Sequence, residues 1–95
     1  MSFLDLLRKK KAIDPAERRT RLLAHGRITD GVIIDTHFDQ NGDEVAHYLY
    51  TLNGVDMESV DILTDEQRND PASYAPGAKV AIRYDPRNQG NSILE

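Results

Sequence analysis

The chain has 95 residues, no cysteine, no tryptophan and a formal net charge of −4. That length suits one domain, near the lower limit at which a single core supports itself, and the missing cysteines exclude disulfide frameworks, thiolate metal sites and cysteine nucleophiles. Apolar runs stop at three or four residues, as in Val32-Ile33-Ile34, against the roughly 20 that a membrane helix requires.

Charge is unevenly divided. Residues 1–27 carry eight Lys/Arg against three Asp/Glu, a net +5, whereas residues 28–95 carry four against thirteen, a net −9. Two parts are therefore expected: a basic helical leader over 1–26 and a small antiparallel β domain over 27–95. The stretch Phe3-Leu4-Asp5-Leu6-Leu7 is short, contains an acid and precedes the cations, the reverse of a secretory signal. A cytoplasmic location is expected, with a peripheral place at the inner membrane as the variant the leader would permit.

In chain order, Ser2 with Asp5 approximates a capping box, Phe3, Leu6 and Leu7 share one helical face, and Arg8, Lys9, Lys10 and Lys11 sit where a helix dipole favours cations. Ten residues are too few for such a helix to persist alone in water, so it needs a surface to rest on. Asp14-Pro15-Ala16-Glu17 gives a second start, with Asp at the cap and Pro at the first helical position. Gly26 ends this helix after Leu22-Leu23, the expected contact with the body.

From residue 27 the period changes to two. Arg27 to Phe38 and Glu44 to Leu52 read as a hairpin around Gln40-Asn41-Gly42-Asp43, and Asn53-Gly54 returns the chain into Val55 to Asp61. On the second strand the alternation predicts Tyr48, Tyr50 and Leu52 inside. Thr64 with Gln67 is a capping box and Asp70-Pro71 a further helix start. Lys79 to Tyr84 alternates cleanly, placing Val80, Ile82 and Tyr84 on one side. Asp85-Pro86 should stop this strand, Asn88 to Asn91 should turn the chain, and Ser92-Ile93-Leu94 should pair back as an edge. The expected fold is mainly β, about five antiparallel strands in a curled sheet or small open barrel, with one or two N-terminal helices.

The pattern Tyr74-x-x-Gly77-x-x-Val80-x-Ile82-x-Tyr84-Asp85-Pro86-x-Asn88, followed by Asn91-Ser92-Ile93, stands with Gly31-Val32, Tyr48-Leu49-Tyr50 and Asn53-Gly54 upstream. In these residues the chain resembles a bacterial family of uncharacterised domains, the DUF3592-like group, over roughly residues 26 to 94. The motifs are turn and core residues, so the resemblance implies a fold and no established activity. Many members are similar in carrying transmembrane helices beside the domain, where this sequence has only the Phe3-to-Lys11 segment.

Few residues suggest chemistry. His37 and His47 lie five residues either side of Gly42. Cross-strand neighbours are about 4.5–5.5 Å apart at Cβ, so two imidazoles there could share a metal with Asp35 or Asp39. Asp56 and Glu58 share a strand face from which Asp61 is out of phase, which argues for a solvated row rather than a catalytic pair. Ser2, Ser59, Ser73 and Ser92 stand in no nucleophile elbow, and the glycines occur singly in turns rather than as a phosphate-cradling loop. No cofactor is called for.

The acidic body disfavours nucleic acid, leaving Arg18, Arg19 and Arg21 of the leader as its only route to a phosphate backbone. Phe3, Leu6 and Leu7 with Arg8 to Lys11 have the composition of a surface-seeking helix, suited to weak contact with an anionic membrane or to covering a face of this domain or of a second copy. The function expected is a non-catalytic interaction module binding an unidentified protein through strand edges or its acidic face, a homodimer included. The alternatives are a membrane-surface or nucleic-acid tether and, last, a metal-dependent enzyme.

Overall fold

The computed structural model describes residues 14–95, and the leader residues Phe3, Leu6, Leu7, Arg8, Lys9, Lys10 and Lys11 lie outside them. The first described helix, α1, spans Pro15–His25, with the Asp14 side chain accepting from Ala16 N and Pro15 in the first turn. Gly26 ends it in extended rather than left-handed geometry, and a Cβ there would lie 2.5 Å from Leu22 O. Glycine is thus required by close approach.

Five strands follow: β1 Arg27–Phe38, β2 Glu44–Leu52, β3 Val55–Ile62, β4 Lys79–Asp85 and β5 Asn88–Leu94. They pair antiparallel in the order β3-β2-β1-β4-β5, and the sheet curls until β3 and β5 face each other across a narrow seam. Between β3 and β4 lie a short helix, α2 (Asp65–Arg68), and a 3₁₀ turn, Pro71–Tyr74.

Local chemistry accounts for most reversals. At the β2–β3 turn both Asn53 and Gly54 have positive φ, 52° and 79°, the backbone twist that two-residue hairpins need and that Asn-Gly adopts at low cost. The box at Thr64 and Gln67 is reciprocal, each side chain satisfying the other residue's backbone N–H. Asp85 Oδ1 accepts from Arg87 N at 2.8 Å, so Pro86-Arg87 alone makes the β4–β5 turn. The turn expected over Asn88–Asn91 is therefore strand, because an Asx turn closes the hairpin two residues after Asp85.

The interior is built from alternate residues. Ile33, Ala46, Tyr48, Tyr50, Leu52, Leu63, Val80, Ile82 and Leu94 form the core, with Met57, Tyr74, Ala78 and Tyr84 packed against it. The tyrosines line up across the sheet, ring centroids 6.0 Å apart for Tyr48 and Tyr50 and 6.4 Å for Tyr50 and Tyr84. Their hydroxyls reach β5: Tyr48 Oη pairs with Ser92 Oγ at 2.7 Å and Tyr50 Oη donates to Gln89 O. Buried phenols are tolerated only with such partners.

Two departures from simple alternation shape the molecule. On β1 the register shifts between Ile33 and Asp35, leaving Ile34 as an extra residue and exposed. Three consecutive β-branched residues are one too many for a period of two, and the bulge absorbs the surplus. On β5 Ile93 points opposite to Ser92 and Leu94, yet it is buried, as is Leu22 of α1, both apart from the main core. Of the two leucines expected to contact the body, Leu22 is buried and Leu23 is 37% exposed.

Gly31 sits on central β1, paired with Tyr50 of β2 and Val80 of β4. A Cβ there would lie 2.8 Å from both Leu49 O and Ile82 Cγ1. Because one obstacle is backbone, Gly31→Ala is expected to lower stability by about 1–3 kcal/mol. The urea midpoint should fall with an unchanged m-value.

Candidate functional site

The seam between β3 and β5 carries the polar groups that the curl forces together. Backbone pairing is replaced there by side chains. Asp61 of β3 points inward opposite Ala46, and its carboxylate accepts from Leu94 N at 3.0 Å. From α1, Arg18 donates to Asn91 Oδ1 at 2.8 Å and to Ser92 O at 2.6 Å, while Arg19 donates to Leu94 O at 2.6 Å. From α2, buried Gln67 adds a donor to Leu94 O at 3.1 Å. On the otherwise open edge of β5, Ser92 O, Leu94 O and Leu94 N thereby gain partners.

Burial pushes the Asp61 carboxyl above the usual carboxylate range, although the Leu94 N–H and the nearby Arg19 and Arg18 charges pull the other way. Burial likewise raises the Tyr48 phenol, opposed by its hydrogen bonds to Ser59 and Ser92. These groups hold the barrel shut. Both side chains are spent on contacts across the seam, Asp61 with Leu94 N and Tyr48 with Ser92.

A cleft of about 570 Å³ opens between α1 and the β4–β5 turn, its wall including Arg18, Arg21, His25, Arg87, Leu22 and Pro86. Its cations are partly committed, Arg18 to β5 and Arg21 to Glu17 at 3.2 Å. The Asp85 carboxylate in the same wall serves the turn.

The outer face of β1, β2 and β3 holds the histidines singled out from the sequence. Asp35 pairs with His47 and His37 with Val45, so the two histidines are diagonal rather than opposed, and their rings still meet: His47 Nε2 lies 3.3 Å from His37 Nδ1. Neither expected carboxylate joins them. Asp35 Oδ1 accepts from Thr36 N beside the bulge of β1, and Asp39 Oδ1 accepts from Asn41 N and Asp43 N in the β1–β2 turn, so each is held by its own backbone. No group of three or more metal-ligating side chains occurs among the described residues.

Beside the histidines stand apolar side chains that alternation places outward. Val60 lies across from His47 and Ile62 across from Val45, 50% and 51% exposed, and Ile34 on the bulge is 45% exposed. Ile34, Asp35, His47, Glu58 and Val60 border one open depression of about 600 Å³. Asp56 and Glu58 face outward with them, while Asp61 faces in. The sequence reading missed this patch; its signal was the apolar Val60 and Ile62 alternating with inward Ser59 and Asp61.

The architecture is that of a small curled antiparallel β domain with a helix docked on its last strand. The chain belongs to the family described as Domain of unknown function (DUF3592), which matches residues 24–95. No curated protein and no solved structure matches it. Among the described residues no helix is long and apolar enough to cross a membrane.

The seam makes stability pH-dependent with a definite sign. Asp61 binds its proton more tightly folded than unfolded, so folding is favoured by acid between the two pKa values, weakens as pH rises through that window and levels off above it. Asp61→Asn should remove that slope while retaining an acceptor for Leu94 N. Asp61→Ala leaves the N–H stranded and should cost about 1–3 kcal/mol. Denaturant midpoints for both variants across acidic and neutral pH check both outcomes.

Proposed function

We propose that this domain is a non-catalytic interaction module whose contact surface is the outer face of β1, β2 and β3. The observation that carries this reading is the outward block of Ile34, Val60 and Ile62, each about half exposed, around the paired histidines. Apolar side chains that could have been buried are displayed as neighbours on one surface while the interior is filled by others, a pattern associated with protein contact. Acidic Asp35 and Glu58 at the border of the depression favour a partner with an apolar centre and basic flanks. The polar groups with altered pKa values, Asp61 and Tyr48, are engaged across the seam and so support a structural rather than catalytic use.

Val60→Asp combined with Ile62→Asp tests the reading, because both positions are solvent-facing and the exchange should leave the melting temperature within a few degrees of the wild type. Wild-type bait should retain a partner from its native cell, or self-associate in sedimentation, and the double variant should lose that association. Identical partners for both proteins, or a wild type that sediments as a monomer and retains nothing, would refute it.

A further inference from the structure

The spacing of the two histidines points to a second property of the outer face. Zinc–imidazole bonds of about 2.0–2.1 Å at a tetrahedral angle place two ligand nitrogens about 3.3–3.4 Å apart. His37 Nδ1 and His47 Nε2 are 3.3 Å apart, and their ring centroids are 5.0 Å apart with planes inclined by 41°. A square-planar ion would need its adjacent nitrogens at about 2.8 Å, closer than the pair stands. We propose that His37 and His47 form a two-imidazole chelate for a tetrahedral divalent cation, Zn²⁺, with water in the remaining positions.

Several features favour such a site beyond the distance itself. Both rings project from adjacent strands of a paired ladder, so the backbone rather than a loop sets their separation. His37 is exposed and His47 half-buried, which leaves room for water ligands on the metal. Asp35, across from His47, and Glu58, on the border of the same depression, add negative charge that attracts a cation without occupying the imidazole nitrogens.

Without metal, one ring donates its N–H to the other. Coordination requires both facing nitrogens to be unprotonated, so the shared proton passes through solvent to the far nitrogen of its own ring. Each imidazole then binds as the neutral tautomer. No oxidant, reductant or further reactant is involved.

This inference is independent of the partner reading, since it is tested on the purified full chain alone. After chelator treatment, calorimetric titration with Zn²⁺ should show one saturable site, and Mg²⁺, which demands oxygen ligands, should show none. His37→Ala and His47→Ala should each weaken Zn²⁺ binding by about tenfold or more, whereas His25→Ala should not. Zn²⁺ should raise the melting temperature of the wild type and of His25→Ala but not of the other two variants. Equal zinc affinity in all four proteins, loss of binding through His25→Ala instead, or no saturable binding by the wild type would overturn the proposal.

Discussion

The structure depends on how its sheet ends meet. Five antiparallel strands curl far enough to bring β3 beside β5, and the meeting is made by side chains: Asp61 to Leu94 N, Tyr48 to Ser92, Tyr50 to Gln89. Ladder pairing there would have required a continuous register between the first and last strands of the sheet, which only a true closed barrel supplies. A few buried polar groups substitute for it. Each has a partner, and that condition separates a specific seam from a costly one.

Helix α1 belongs to the same device. It lies almost wholly before residues 24–95, the part that the family shares, yet Arg18 and Arg19 cap the carbonyls of β5 and Leu22 is buried beside the sheet. The basic character of this segment, notable against the acidic body, is thus partly internal wiring. A planar guanidinium with several donors suits the task, because Arg18 reaches a side-chain oxygen and a backbone oxygen together.

Much of this was legible in the residues. Asn53-Gly54, Thr64 with Gln67, Asp14-Pro15 and the alternation of Tyr48, Tyr50 and Leu52 are local signals, and each forms the element its chemistry predicts. What stayed hidden is non-local. Nothing near Asp61 says that its carboxylate will meet a backbone N–H 33 positions later, and nothing near Arg19 says that it caps residue 94. The early start of β5 was concealed because Asn88-Gln89-Gly90-Asn91 has turn composition, overridden by the tighter turn before it. The histidine pair was legible as a pairing but not in its geometry, since the exact register around the bulge decides whether two rings face or pass each other.

A cylinder sewn along one line by side chains has a preferred direction of unravelling. β1 is laddered on both sides, whereas β5 has one backbone neighbour and a border of arginine, glutamine and aspartate contacts. Thermal fluctuations should therefore part the wall at β5 first and reach β1 only with global unfolding, giving deuterium uptake a gradient across the sheet. The outer surface of β1 and β2, each laddered on two sides, would stay intact through the earliest of these openings.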